Sequence, residues 1–410
     1  MKVLILNHEY PPIGGGGGNA CQHIVRHLTE MGLDITVVTS AFANLPAHDL
    51  QDGASVHRVP ALRSREAEST LASILAYTIS ATLATRRVDR PDLVHAFFGV
   101  PSGLIAYGLK RVWSTPYLVS FRGKDVHGGQ SREMGGITGC LKAVSMPVWR
   151  NADALVANSK GLREIAEHVD PTAQVEVIPN GVDTDRFRPE LRRSVGPLRV
   201  LYVGRLEPYK GLETLLQAMT QANKIPNAFA LRIVGDGSLR SDLERRSHAL
   251  GLSDIVTFDG WVDRAYIPDC YNSADLFVMP SVVEGMPNGV LEAMASGLPV
   301  IASHVPGTEE LIDSGHTGLL FESGDATGLA DALIQCHSCP GLRKSLANGA
   351  RAVSMSRSWE RVAIEYTNIY ARLASLDTTT IAAPCSASTD PTVSPSSPST
   401  SQPARSPGGK

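Results

Sequence analysis

Short apolar runs alternate with stretches of helical periodicity along most of this chain. Residues 3–6 form a continuous apolar run of the kind that makes a strand buried on both faces. A loop over residues 11–18 follows, and Asn19 is the predicted N-cap of a helix whose Cys21, Ile24, Val25 and Leu28 recur at helical spacing. Gly32 closes that helix, and residues 35–39 are the next buried strand. Strand, helix and strand in this order make a βαβ unit, which implies parallel strands and a right-handed crossover. Further strands are predicted at 93–96, 117–121, 154–157 and 175–178. Between Arg186 and Pro197 the pattern gives way to a polar, proline-bearing stretch that reads as an interdomain linker. A second series follows, with strands predicted at 199–203, 230–234, 255–258, 276–279, 300–302 and 319–321. The count predicts an α/β protein of two doubly wound domains in tandem. Residues 359–376 carry Val362, Ile364, Tyr366, Ile369, Tyr370 and Leu373 at helical spacing and predict a terminal helix. From Asp377 to Lys410 Ser, Thr, Pro and Ala dominate without hydrophobic period, so a disordered tail is expected.

A length of 410 residues fits two domains with appendages, given about 100–200 residues per domain. Apolar residues are 43% against 19% charged, and a net charge of −3 supplies no field that would gather nucleic acid, so no nucleic-acid partner is expected. The first apolar run stops at Asn7, too short for a secretory core. The longest candidate span, residues 71–83, is too short to cross a bilayer, carries Ser and Thr, and reads as a core or domain-surface helix. Six scattered cysteines fit a reducing cytosol better than a disulfide framework. Cys336 and Cys339 flank His337 in a C-x-x-C with no second ligand pair nearby, which reads as a helix end; no metal site is expected.

In parallel α/β domains ligands bind beyond the carboxyl ends of strands, so the loops there carry the chemistry. Gly14 to Gly18 follow the first strand, and Gly15, Gly16 and Gly17 let backbone approach a phosphate at a helix N-terminus. No Gly-Lys-Ser/Thr follows, so the loop is not a P-loop, and strand two ends without the acidic residue a dinucleotide site uses for ribose, which argues against an oxidoreductase. Taken singly, five glycines also fit a flexible loop, the lesser of the two readings. Arg205 and Lys210 lie between a strand end and a helix start, flanked by Gly204 and Gly211; Arg can grip a phosphate bidentately and Lys can act as a point charge, which together suit a diphosphate. In the run from Ser281 to Glu292, Pro287, Asn288 and Gly289 suit a helix start whose amides point into a cleft, with Glu284 in the loop and Glu292 two turns on. One carboxylate can accept from sugar hydroxyls and the other from a ribose diol.

Val177-Ile178-Pro179-Asn180-Gly181-Val182-Asp183, the 204–211 loop, Val234-Gly235-Asp236-Gly237 and the 284–292 stretch occur in the order and spacing of the family 4 retaining glycosyltransferases. The chain resembles that family from its start to about Leu376. The resemblance implies a GT-B architecture, two Rossmann-like doubly wound domains facing across a cleft. It assigns residues 1–186 to an acceptor-side domain, 187–197 to the linker, 198–356 to a nucleotide-sugar-binding domain, 357–376 to a helix packing back on the first domain and 377–410 to the tail. It implies sugar transfer from a nucleoside-diphosphate sugar with retention and without an obligatory metal or other cofactor. By the same resemblance Arg205 and Lys210 would hold the diphosphate, Glu284 the donor sugar and Glu292 the ribose. Gly235 and Val262, beside Trp261, would lie near the base, the 14–18 loop would close over the phosphates, and Met286, Pro287, Asn288, Gly289 and Leu291 would complete the donor loop. A UDP-sugar is favoured, with GDP-mannose as the alternative donor.

One departure stands out. Where many members carry a histidine in a His-Gly-x-Asp-like turn, this chain reads Phe121-Arg122-Gly123-Lys124-Asp125. Arg122 and Asp125 are therefore candidates for contact with donor or acceptor, while His95 and His127 nearby read as structural histidines. Acceptor recognition is expected around 7–18, 97–103 and 122–137, for a glycan, a lipid-linked or a small-molecule acceptor. A cytoplasmic protein is expected, with peripheral association at the inner membrane face as the variant for a lipid-linked acceptor. An epimerase or hydrolase of the same fold, or a non-catalytic sugar-nucleotide-binding protein, is the alternative reading.

Overall fold

The computed structural model describes residues 1–63, 70–123, 126, 135–190 and 196–375. A first sheet is built from β1 (Lys2–Leu6), β2 (Asp34–Ser40), β3 (His48–Gln51), β4 (Ala54–Val59), β5 (Leu93–Phe97), β6 (Tyr117–Phe121), β7 (Ala154–Ala157) and β8 (Val175–Val177), in the order β3-β4-β2-β1-β5-β6-β7-β8. All neighbours are parallel except the antiparallel β3–β4 pair. Its helices are α1 (Gly16–Glu30), α2 (Leu71–Thr85), α3 (Leu104–Trp113), α4 (Gly135–Asn151) and α5 (Lys160–Val169). The continuous apolar runs become central strands because both faces of the sheet are covered: one by α1, the other by the cluster that includes Tyr77, Ile105, Val148 and Leu162.

The helix after β1 starts at Gly16 with Gly15 as its cap, one turn earlier than the expected Asn19. The Asn19 amide already donates to the Gly15 carbonyl at 3.0 Å, so its side chain is not needed as a cap. The hairpin of β3 and β4 was not anticipated, because β3 is too exposed to leave an apolar signature.

The second sheet comprises β9 (Leu198–Val203), β10 (Phe229–Val234), β11 (Val256–Gly260), β12 (Leu276–Met279), β13 (Val300–His304) and β14 (Leu319–Glu322), all parallel, in the order β11-β10-β9-β12-β13-β14. The helices around it are α6 (Leu212–Ala222), α7 (Arg240–Ala249), α8 (Ile267–Asn272), α9 (Asn288–Ala295), α10 (Pro306–Glu309), α11 (Ala326–Ser338) and α12 (Pro340–Met355). Cys336 is buried on α11 and Cys339 stands exposed at the junction with α12. In each sheet the first strand lies between its sequence neighbour and a strand from the other half: β1 between β2 and β5, β9 between β10 and β12. Those are the points where the winding reverses and a crevice opens at the strand ends.

α13 (Trp359–Leu373) leaves the second sheet and packs on α1, burying Trp359, Val362, Ala363, Tyr366, Ile369 and Tyr370 in the core of the first. The chain thus crosses between the two sheets twice, and the crossings touch. Val182 bridges Ser358, and the Val182 amide donates to the Arg357 carbonyl at 2.8 Å.

Candidate active site

The loop after β1 folds back on itself. The Gly15 amide donates to Glu9 Oε2 at 3.4 Å and the Glu9 amide to Asn7 Oδ1 at 3.0 Å. A β-carbon at Gly17 would come within 2.7 Å of the Phe98 ring, so only glycine lets the loop lie so close to the exit of β5. Gly15 and Gly16 face the other sheet. A β-carbon at Gly15 would stand 3.6 Å from the Arg205 guanidinium carbon, and Asn288 Nδ2 donates to the Gly16 carbonyl at 3.3 Å. The glycine loop of one switch point therefore meets the cation loop and the α9 start of the other.

On that opposite wall, the backbone at Gly235 takes a left-handed φ of 136°, and a β-carbon there would be 1.9 Å from the Gly204 carbonyl oxygen. Glycine is needed for the strand ends to close together behind Arg205. The Tyr202 hydroxyl donates to the Arg205 carbonyl at 2.9 Å and so holds the loop from below. Lys210 Nζ donates to Glu284 Oε1 at 2.5 Å, and Ser281 Oγ donates to the same oxygen at 2.7 Å. With 15% and 10% of their side chains exposed, the cation and carboxylate are largely withdrawn from water and neutralise each other.

Pro287 precedes the first turn of α9, where the Asn288 and Gly289 amides fall among the helix's free donors. Met286 and Leu291 are buried in the core, and the Leu291 amide donates to the Pro287 carbonyl at 3.3 Å. Val262 is half-buried against the same core beside the exposed Trp261. Glu292, on the second turn of α9, accepts from the Tyr271 hydroxyl at 3.0 Å. Burial pushes its carboxyl above the usual carboxylate range, against the opposing pull of Arg264 and the Tyr271 bond. Glu292, Asn288, Arg264, Asn19, His23 and Asp183 line one small cavity beside the crossing.

Arg264 and His23 of this cavity, and Asn180 beside it in the chain, are not among the residues singled out from the sequence. Arg264 donates to Asn19 and to Gln22 of α1 from the opposite domain, and nothing in a lone arginine within a turn announces that contact. His23 stacks on Trp359 with centroids 5.1 Å apart. Asn180 lies inside the Pro-Asn-Gly-Val-Asp motif, which was the available signal. Its Oδ1 accepts from Arg122 Nη1 at 2.8 Å, while its Nδ2 donates to Asn288 Oδ1 at 2.8 Å and to the Met286 carbonyl at 3.3 Å.

Arg122 also donates to the Tyr366 hydroxyl at 2.9 Å and lies 4.8 Å over the Phe97 ring. The network runs on through Ser120 Oγ, 2.9 Å from Tyr366, to His95, whose ring nitrogens meet Ser120 at 2.7 Å and the Tyr370 hydroxyl at 2.6 Å. His95 is thus a satisfied core histidine, its burial holding it neutral. Asp125 and His127 lie outside the described residues. Among the described residues no group of three His, Cys, Asp or Glu side chains converges on a metal position.

Two family descriptions divide the chain between them: Glycosyltransferase Family 4 over residues 14–186 and Glycosyl transferases group 1 over residues 183–353. An uncharacterized glycosyltransferase of Methanocaldococcus jannaschii is 30% identical over 90% of this chain and 98% of its own length. Among solved structures, sucrose-phosphate synthase of Thermosynechococcus elongatus superposes with a TM-score of 0.81 at 25% identity, covering 92% of this chain and 99% of that one. HepE of Anabaena, solved in complex with UDP-glucose, shares the fold with a TM-score of 0.74 at 20% identity over 91% of this chain and 100% of that one. With two facing doubly wound domains, a family match on each and a relative aligned nearly end to end, the chain belongs to the family 4 glycosyltransferases of GT-B fold.

Proposed function

We propose that this glycosyltransferase moves a sugar, with retention at the anomeric carbon, from a UDP-sugar to a hydroxyl of a glycan, lipid-linked or small-molecule acceptor. The observation that carries the reading is the meeting of the two switch points, with Gly15 and Gly16 set against Arg205 and Asn288. A diphosphate lying there has glycine backbone on one side and two cations on the other. Glycosyl transfer builds positive charge on the sugar ring and negative charge on the departing phosphate. Fixed cations and helix amides aimed at the phosphate therefore favour the transition state over the bound donor. In this reading Arg205 and Lys210 hold the diphosphate, and the Asn288 and Gly289 amides add donors at the start of α9.

Lys210 and Glu284 exchange partners when the donor arrives: Lys210 turns to phosphate, and Glu284 accepts from the donor sugar's hydroxyls. Glu292 accepts from the ribose diol, whose donated hydrogen bonds favour its ionised form. Gly235 and Val262 border the base. The acceptor's proton leaves with the phosphate, so no separate base and no metal are required. A UDP-sugar is the donor of this reading, with GDP-mannose as the alternative, and a panel of donors decides between them. The acceptor enters from the first domain, beside residues 7–18 and 97–103, in a cytoplasmic setting. Arg122 takes a positioning role through Asn180 rather than touching donor.

The test is release of nucleoside diphosphate from a panel of UDP-, GDP- and ADP-sugars, with chelator present and simple sugar acceptors added. Release from UDP-sugars alone, rising with acceptor, is the expected result. Release only from another nucleotide's sugar, or only when a divalent cation is restored, overturns the corresponding part of the reading.

A further inference from the structure

α2 is built inside out. Its inward face is Ser73, Tyr77, Ala81 and Thr85, mostly small or hydroxyl-bearing, whereas Leu71, Leu75, Ile79 and Leu83 at four-residue spacing face outward. Those four are 54–67% exposed, so large aliphatic groups point away from a core that the helix enters with Tyr77 and three small residues. The helix carries no charged residue. The same spacing continues to Arg87, next to Arg86, both exposed, and Arg90 donates to the Trp113 carbonyl, bringing the end of α3 with exposed Arg111 and Val112 alongside. The acidic groups nearby are Asp89, held by Lys2 Nζ at 2.9 Å, Asp92, which accepts from the Lys2 amide at 2.7 Å, and Asp34, against Lys2, Arg86, Arg87, Arg90 and Arg111. What remains at this end is net positive.

We propose that the outward face of α2 is a docking surface for an anionic lipid bilayer. A convex strip of aliphatic side chains ending in arginines matches the interface of such a membrane, apolar groups entering the acyl boundary and cations meeting the phosphates. A second copy of the chain suits it less well. From Leu71 to Leu83 the strip is about 18 Å long and about 10 Å wide, far short of the roughly 800 Å² per partner of a stable protein interface. Nor is the helix a membrane span: among the described residues no helix is long and apolar enough to cross. α2 begins on the carboxyl edge of the first sheet, the edge that carries the glycine loop. A bilayer on this face therefore lies against the domain expected to receive the acceptor, and deepens the lipid-linked branch of the proposed function.

The test is flotation of the full chain with phosphatidylcholine vesicles, with and without phosphatidylglycerol. The wild type should float with the anionic vesicles and only weakly with the neutral ones. Leu75→Ser with Ile79→Ser, and separately Arg86→Glu with Arg87→Glu, should each lower the partition by about tenfold or more. Thermal melts and titration with UDP should be unchanged in both variants, so failure of donor binding is read apart from failure of docking. A wild type that stays unbound, variants that bind as well as it does, or a dimer that the aliphatic variant dissolves would each overturn the proposal.

Discussion

Glu292 is a buried carboxylate whose protonation burial favours, held in place by the Tyr271 hydroxyl. Its raised pKa means that the native state keeps a proton the unfolded chain has already lost, so its burial costs stability as pH rises through the folded value. Glu292→Gln should therefore raise the melting temperature at neutral and alkaline pH, by an increment that shrinks on acidification, while weakening binding of a UDP-sugar. Lower melting temperature together with unchanged donor binding would remove it from the ribose position. Local spacing put Arg205, Lys210 and Glu284 on loops after strands and Glu292 on the helix that follows Glu284, and the fold has them there. The partners of Arg122 were not legible, since Asn180 and Tyr366 lie 58 and 244 residues away and only the folded chain brings them together. The mutual neutralisation of Lys210 and Glu284 was equally hidden, because each was read as facing ligand.

α1 and α13 carry the first domain's share of the site and the second crossing of the chain. Their contact includes His23 stacked on Trp359, with interplanar angle 1°. Burial, with Arg264 and Arg26 nearby, pushes the His23 imidazole down to about 3. Below its ordinary value near 6.5 the unfolded chain binds a proton at His23 that the native state refuses, so this stability is intact at neutral pH and drains away as pH falls toward 3. His23→Phe keeps the ring stack and removes the titration. The unfolding free energy should then depend on pH less steeply by ~1.4 kcal/mol per pH unit within that window. Parallel curves for the two proteins would show that His23 titrates normally in the fold. At this scale the central strands announced themselves through their apolar runs, and α13 through its helical period. The β3–β4 hairpin did so only through Asp52-Gly53, both with positive φ, a turn signal outweighed by the exposed β3 residues before it. The apolar run over 71–83 gave nearly the length of α2 but not its reversed orientation, because apolar residues occupy too many of its positions for a helical period to choose a face.

At the scale of the whole molecule, the two domains are joined by touching crossings at Val182 and Ser358 and by contacts on both sides of them. Asn288 reaches Gly16, Arg264 reaches Asn19 and Gln22, and the Gly161 amide donates to Glu310 at 3.0 Å. In the proposed function a donor between the glycine loop and Arg205 would displace contacts between loops and leave the crossings at Val182 and Ser358 in place. The central claim is that this meeting of loops is a diphosphate clamp. Its most direct test is calorimetric titration of UDP into the wild type, Arg205→Ala and Lys210→Ala. Removing either cation should weaken binding by about ten- to a hundredfold, the loss of a charge-assisted hydrogen bond of about 1.5–3 kcal/mol. Wild-type affinity in both variants, with intact folding, would contradict the clamp and the donor site built on it.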